Sequence, residues 1–549
     1  MVGHLDDGIA LLESQRTDEA VSRFMLAQRT DFVAYALMVA GRLPEAEQAY
    51  RAHLKISPLE AASYFNMGNA QREQLGDDAA LARAQRSYMQ AISLAPAWPD
   101  PYINLGVSLG DDMAGALSAY EHALSLQPTH AHALANTMHA RTWLGCWRGR
   151  ETLLRTLRRR LEQADENDDA ILIHTQPWHV LAYHPLPATL ALRVASAHAN
   201  AALRGASMAT GPKPRRRRRR IHLAYLSSDL DEGHPVGQLM SYVFGLHERT
   251  QFRVVCYDSG ITLRRDAVTH RIRGGCDRFH RLAESQRRGG IARLSADILL
   301  DLNGHTQGSR LDLLVSCLAR VKTLAIGYPA TLGGRLVDYV AADAISVGPR
   351  SRSGRATEMY SERVLLMPGF FLVADHGFSY PSVKAAALGG PAHRCSLSSF
   401  SQPYKVQPQT LDLYVGVLQR LSPSRCMLEL VRFHESSVPF LESEVHARGL
   451  RGQTLQWLAK LPRGRHLKRA SAAAFSLDTP GYNQGTSGLD ALWAGLPLMT
   501  LPMHLWSGRM GAGLVRTVGL PTGEVQSVRS FSDLAVLLLL QPARASCPL

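Results

Sequence analysis

Small and aromatic residues recur at helical spacing through the first quarter of the chain. One unit sets Ala84, Tyr88 and Ala91 ahead of Pro96, and the next sets Ala116, Tyr120 and Ala123 ahead of Pro128. An earlier unit has Ala46 and Tyr50, then His53 in place of the second alanine, then Pro58; a fainter one has Ala20, Phe24 and Ala27. Gly68 and Gly106 fall in the helices before two of these units, within Asn66-Met67-Gly68 and Asn104-Leu105-Gly106. Small residues seven apart let two helices approach closely, the aromatic between them fills the gap, and proline ends the helix. The pattern predicts tandem helix pairs over residues 1–135. Leu153-Leu154, Leu157 and Leu161 carry helical spacing onward, so 136–210 reads as a helical continuation or linker, interrupted at Pro177-Trp178 and Pro185 to Pro187.

After Arg220 the period changes. Ile221 to Leu226, Phe252 to Tyr257, Ile298 to Leu302, Leu324 to Ile326 and Val337 to Val340 are short apolar runs with helical patterns between some of them. A second set follows: a helix from Leu411 to Arg420, strands near Leu455 to Leu458, Ala474 to Leu477 and Leu498 to Leu501, and a helix from Ser487 to Ala494. Strands alternating with helices imply a parallel sheet covered on both faces. Two such sets in succession predict two doubly wound, Rossmann-like lobes, over 221–385 and 386–549, with ligand at the carboxyl ends of the strands.

Composition narrows the class. The chain has 549 residues, 46% hydrophobic and 20% charged, enough for three or four ordinary globular domains. No apolar stretch is long enough to predict a membrane span, and the first residues lack a basic leader, so a cytoplasmic location is expected. The seven cysteines include no C-x-x-C pair, and neither a zinc ribbon nor a disulfide framework is expected. The net charge of +14 is partly local, in the run Arg215 to Arg220. Gly211, Pro212 and Pro214 before it make 211–220 a basic linker, and the lack of interleaved aromatics argues against nucleic acid as a partner.

The segment richest in chemistry runs from Leu477 through Asp478, Gly481, Tyr482, Gly485, Thr486, Ser487 and Asp490 to Gly495 and Pro497. A strand enters a polar, glycine-bearing loop, and a helix starts near Thr486-Ser487. Its free N–H groups and two hydroxyls suit a diphosphate, and Asp490, placed in the first turn, suits the two hydroxyls of a ribose. Equally, Thr486 or Ser487 caps the helix and Asp490 favours its dipole.

This segment resembles the donor-binding motif of the protein O-linked N-acetylglucosamine transferases, a bacterial-type member being suggested by the richness in Ala, Leu and Arg. Other segments resemble that family in order. They are Tyr225 to Asp229 with His234-Pro235, Asp301 to Thr306, Gly327 to Thr331, Tyr360-Ser361-Glu362, Phe400 to Lys405, and His466 to Arg469. The helical units likewise resemble the tetratricopeptide repeat, whose period is about 34 residues; from Ala46 to Ala84 is 38 positions and from Ala84 to Ala116 is 32, so the repeats are degenerate. The family implies a tetratricopeptide superhelix ahead of a two-lobed GT-B catalytic region, UDP-GlcNAc or UDP as ligand, and a peptide or protein acceptor along the concave face. It implies an inverting, metal-independent transfer to Ser or Thr, with no cofactor. Carried over residue by residue, it implies Lys405 and Gln402 at the diphosphate and Arg463, His466 and Arg469 at the nucleotide. Gly485, Thr486 and Ser487 would lie at the phosphate and Asp490 at the ribose. Gly327, Pro329 and Tyr482 would line the sugar and acceptor pocket. His234 is the candidate near the reacting centre, as base, relay or positioning group; Asp297 and Asp301 are alternatives or structural caps. Asp229 and Asp231 form a D-x-D pair away from the donor loop.

The sequence departs from the family pattern at Gly485, where animal members carry histidine, at Tyr482, where cysteine is frequent, and at Gln238, Met503-His504 and Gly508. A relative using another UDP sugar or acceptor, and an inactive repeat scaffold, are the alternatives these changes leave open.

Overall fold

The computed structural model describes residues 2–13, 16–74, 77–165, 170–183, 186–205, 220–260, 265–282, 294–348, 359–383, 395–421, 426–450 and 454–540. The expected basic linker up to residue 219, Pro185 and the last residues, Cys547-Pro548-Leu549, lie outside them. The chain divides into two units, Met1–Ala140 and Arg141–Leu549.

In the first unit consecutive helices pack in pairs: Val2–Glu13 with Thr17–Leu26, Thr30–Val39 with Leu43–Ile56, Ala61–Arg72 with Asp78–Leu94, and Pro99–Ser108 with Met113–Leu126. The small–aromatic pattern has a direct cause. Tyr88 is fully buried, and a β-carbon added at Gly68 would sit 2.6 Å from its ring. The same holds for Gly106 against Tyr120, at 2.5 Å, and for Gly8 against Phe24, at 2.5 Å. In these three pairs the first helix offers a notch without a side chain and the second fills it with a ring; in the pair Thr30–Val39 and Leu43–Ile56 it is Ala34 that packs with Tyr50. Glu47, 8% exposed, sits beneath this packing and accepts hydrogen bonds from Arg51, Gln71, Gln74 and Arg83. Burial alone would raise its pKa, but these donors outweigh it and bring the carboxyl down to about 2.

In the second unit, among the described residues, seven parallel strands form one sheet: β1 Ile221–Ser227, β2 Phe252–Asp258, β3 Arg278–Arg281, β4 Ile298–Asp301, β5 Val321–Leu324, β6 Tyr339–Ala342 and β7 Arg363–Leu366. Their order is β3-β2-β1-β4-β5-β6-β7. Five more form a second parallel sheet, β8 Cys395–Ser399, β9 Cys426–Arg432, β10 Leu455–Ala459, β11 Phe475–Leu477 and β12 Leu498–Met499, in the order β10-β9-β8-β11-β12. Both are doubly wound. The order reverses between β1 and β4 in the first lobe and between β8 and β11 in the second, which is where such sheets open a crevice for ligand.

From Arg141 the helical stretch expected to continue the solenoid belongs to the unit with the sheets. Trp147 lies in the core of the second lobe with Leu397, Leu411 and Tyr414. Leu181 joins Leu299 and Leu324 of the first, and Ala199 packs with Val315 and Leu336. The expectation of unpaired cysteines is overturned for four of them. Cys256 is bonded to Cys276 and Cys395 to Cys426, while Cys146 and Cys317 are free. The reason is register: Cys395 and Cys426 are direct neighbours on parallel strands, a proximity that their sequence separation of 31 does not reveal.

Candidate active site

Two loops meet at the switch point of the second lobe. The first leaves β8 as Phe400-Ser401-Gln402 and enters a short 3-10 turn, Pro403–Lys405. The second leaves β11 at Asp478 and ends at the helix Thr486–Trp493. They are joined by a hydrogen bond between the Ser401 and Thr479 hydroxyls, 3.1 Å, and by Lys405, whose ammonium donates to the Asn483 carbonyl at 3.0 Å. The same ammonium lies 4.1 Å from the centre of the Tyr482 ring, a cation–π contact. Loss of hydration around it lowers the Lys405 pKa to about 8, against the pull of Asp478, which raises it. Asp478 organises the second loop. It is fully buried, accepts from the N–H groups of Thr479 at 2.8 Å and Gln484 at 2.6 Å and from the Thr500 hydroxyl at 2.7 Å, and burial pushes its pKa up to about 6. Gln402 carries a buried side-chain oxygen with no hydrogen-bond partner.

Gly485 is the N-cap residue of the helix, and Thr486 and Ser487 are its first two members, half-buried. The side-chain cap that one reading expected is not made. The first-turn N–H groups, with no acceptor inside the helix, point out of its start. A β-carbon at Gly485 would meet nothing nearer than Leu372 at 3.5 Å, so lack of space does not impose glycine here.

Asp490 is the fifth residue of this helix, which places it in the second turn and not, as expected, the first. It is 6% exposed. Its Oδ1 accepts from His376 Nε2 at 2.6 Å and from Arg463 Nε at 3.0 Å. These donors hold its pKa below the usual range despite burial. Arg463 also donates to Asp375 at 3.0 Å. It therefore reaches two carboxylates, where the sequence placed it on the donor itself. His376 and Asp375 were missed because nothing in their short segment carries a periodic signal, and 114 residues separate His376 from its partner. His466 and Arg469 share the helix Arg463–Ala470 and contact each other, His466 Nδ1 to Arg469 at 3.1 Å. The His466 ring packs edge-on against Phe400, 4.7 Å between centres, and burial lowers its pKa. Arg469 also donates to the Ala459 carbonyl at the end of β10, at 2.6 Å.

The first lobe contributes from its own switch point. Asn303, 2% exposed and just past β4, donates to Asp229 Oδ2 at 2.7 Å and to the Ser228 hydroxyl at 2.8 Å, and accepts from the Ser228 N–H at 2.8 Å. Asp229, its pKa raised by burial, faces His234 Nδ1 at 3.5 Å. His234 is the N-cap of Pro235–Met240, receives the Val236 N–H at 3.3 Å, and pairs with Asp229 rather than with the donor loop. Asp301 caps the turn after β4, accepting from the N–H groups of Asn303 and Gly304, and Asp297 caps the start of β1 through the His222 N–H. Asp231 accepts the Gly233 N–H. Among the described residues no group of three or more His, Cys, Asp or Glu is arranged to hold a metal ion. Gly327 follows Ile326, whose φ of +67° is exceptional for a β-branched residue, and precedes the buried Tyr328 and Pro329. A β-carbon on Gly327 would fall 1.7 Å from the Leu302 carbonyl, so only glycine fits.

The family model of glycosyl transferase family 41 matches residues 161–394 and 386–543. The chain belongs to glycosyl transferase family 41. An Arabidopsis thaliana relative, a probable UDP-N-acetylglucosamine–peptide N-acetylglucosaminyltransferase, is 28% identical over 75% of this chain and 44% of its own length. The Caenorhabditis elegans UDP-N-acetylglucosamine–peptide N-acetylglucosaminyltransferase is 23% identical over 58% of this chain and 37% of its own. This family 41 chain thus spans less than half the length of those curated relatives. A solved structure of a mutant of the Thermobaculum terrenum O-GlcNAc transferase shares the fold, with a TM-score of 0.58 and 24% identity over 98% of this chain and 92% of that one. No described helix is long and apolar enough to cross a membrane.

Proposed function

We propose that this family 41 protein transfers N-acetylglucosamine from UDP-GlcNAc to Ser or Thr hydroxyls of proteins, with inversion and without a metal ion. The observation that carries the reading is Lys405, an ammonium held in a poorly hydrated place between the two loops of a doubly wound switch point, beside a helix start with open N–H groups. That arrangement suits a diphosphate. The acceptor oxygen attacks the anomeric carbon as the bond from that carbon to the diphosphate oxygen breaks. Lys405 and the N–H groups of Thr486 and Ser487 meet the charge that gathers on the leaving UDP. Asp490 receives a ribose hydroxyl, Gln402, His466 and Arg469 border the nucleotide, Gly485 lies at the phosphate with Thr486 and Ser487, and Tyr482, Gly327 and Pro329 shape the sugar pocket. The proton of the acceptor passes to the His234–Asp229 pair, which supplies a ring nitrogen backed by a carboxylate. The names of the relatives support the donor and the peptide acceptor.

Tyr482 favours a second reading. Its ring against Lys405 occupies space beside the donor that a smaller residue would leave free, so a different UDP sugar fits the same machinery. Calorimetry with UDP-GlcNAc, UDP-glucose and UDP-galactose in EDTA, followed by mass spectrometry of an acceptor peptide library, tests both. Binding and transfer restricted to UDP-GlcNAc supports the first reading, another preferred sugar supports the second, and no binding of any UDP compound removes both.

A further inference from the structure

The segment from Asp375 to Tyr380 lies between β7 and β8 in sequence, and its contacts converge on the donor helix. His376, 1% exposed, donates from Nε2 to Asp490 Oδ1 at 2.6 Å and lies 5.5 Å from the Trp493 ring. Trp493 donates its ring N–H to the Tyr380 carbonyl at 3.1 Å. Asp490 and Trp493 are three apart and share one face of the helix, so this face is gripped at two points by a single short segment. The grip extends to the other lobe. Phe378 stacks on Tyr242, 4.6 Å between centres, and Asp375 holds Arg463 while accepting from the Ser379 hydroxyl at 2.6 Å. Arg463 returns to Asp490, completing a closed circuit of Asp375, Arg463, Asp490 and His376.

The circuit leaves Asp490 asymmetric. Oδ1 is occupied by His376 and by Arg463, whereas Oδ2 has no protein hydrogen bond among the described residues. A carboxylate pinned through one oxygen presents the other in a fixed direction, with no rotamer freedom left to lose when a ligand hydroxyl arrives. We infer that His376 is a positioning residue for the donor nucleotide: it fixes Asp490 so that Oδ2 alone receives a ribose hydroxyl, and thereby sets the preference for a ribose over a sugar lacking its hydroxyls. This rests on the reading of Asp490 as a donor contact and adds to it a residue that does not touch the donor.

The test uses the full chain with UDP and 2′,3′-dideoxy-UDP, binding measured by calorimetry and folding by thermal denaturation. Wild type is expected to bind UDP the more tightly. His376→Leu is expected to weaken UDP at least tenfold and the dideoxy compound less than twofold, so that the preference collapses. His376→Gln, whose amide nitrogen can replace Nε2, is expected to restore most of it. If His376→Leu does not fold, His376→Asn, with an amide too short to reach Oδ1, takes its place with the same expected result. Equal weakening of both nucleotides, or none, overturns the inference while leaving UDP binding intact as a property of the site. Failure of the wild type to bind UDP overturns the donor reading itself.

Discussion

Lys405 offers the sharpest contradiction between stability and binding. With no diphosphate beside it, its ammonium is held where water is scarce, and its pKa drops from 10.5 to about 8. A shift of that size corresponds to roughly 3 kcal/mol. Because the residue is half-buried, residual solvent access reduces the penalty to about 2 kcal/mol. Lys405→Met keeps the length of the stem and removes the charge. Without ligand, the variant should therefore be more stable than wild type by about 1–2 kcal/mol at pH 7, after loss of the hydrogen bond to the Asn483 carbonyl is counted against it. The sign follows from a lowered lysine pKa: the penalty is fully present below pH 8 and is relieved as pH rises toward 10.5, so the two proteins should converge over that interval. UDP binding should move the other way. Removing the charge deletes a charge-assisted contact of about 1.5–3 kcal/mol, or roughly 10- to 150-fold in affinity. Urea denaturation at pH 7 and 10, with UDP titrations in EDTA at pH 7, measures both. A variant that is less stable than wild type and binds UDP equally well would refute the assignment of Lys405 as a cation kept strained for an anion.

Gly327 and Gly485 should respond oppositely to alanine. Gly327→Ala drives a β-carbon to 1.7 Å from a backbone carbonyl and should abolish soluble folding or cost more than about 3 kcal/mol by thermal denaturation, whereas Gly485→Ala, in ordinary contact at 3.5 Å, should cost less than about 1 kcal/mol. In the solenoid, Gly106→Ala should lower the unfolding free energy by about 1–3 kcal/mol through its 2.5 Å clash with Tyr120, as read by urea denaturation, with Tyr120→Leu in the same chain recovering part of the loss. Glu47→Gln should cost about 2–3 kcal/mol at pH 7. Since the folded carboxyl titrates near 2, below its ordinary 4.5, that difference should be present above pH 4.5 and vanish as pH falls toward 2, as followed by helical circular dichroism.

Much of this architecture was legible in the chain because its signals are local. The alanine–tyrosine–alanine units announced the helix pairs, and the apolar run Ile221 to Leu226 announced β1. The strand-loop-helix at Leu477 to Asp490 announced β11 and the helix Thr486–Trp493 at the switch point of the second lobe. Other features depend on contacts that no spacing encodes. The strands β8 and β9, Cys395–Ser399 and Cys426–Arg432, were not anticipated. Serine-rich β8 lacks an apolar run, although it is a central strand of the sheet with most of its residues buried. Arg463 read as a donor contact because a cationic residue stands in the right register, but a buried guanidinium takes the carboxylates within reach, and two are present. The stretch 136–210 read as a helical continuation on Leu153, Leu154, Leu157 and Leu161, since helical periodicity specifies a helix and a buried face without naming the surface that covers it; Trp147 in that stretch lies in the core of the second lobe.

The notch and ring of the helix pairs have a consequence for how such chains vary. What must match is a glycine or alanine patch on one helix and a ring on the next, so the turns between them carry no share of the specification. This explains how 38 and 32 residues can separate successive units that pack alike. It also makes the pair the grain at which the array can lengthen or shorten: an added pair brings its own socket and its own plug, while an added single helix would set plug against plug.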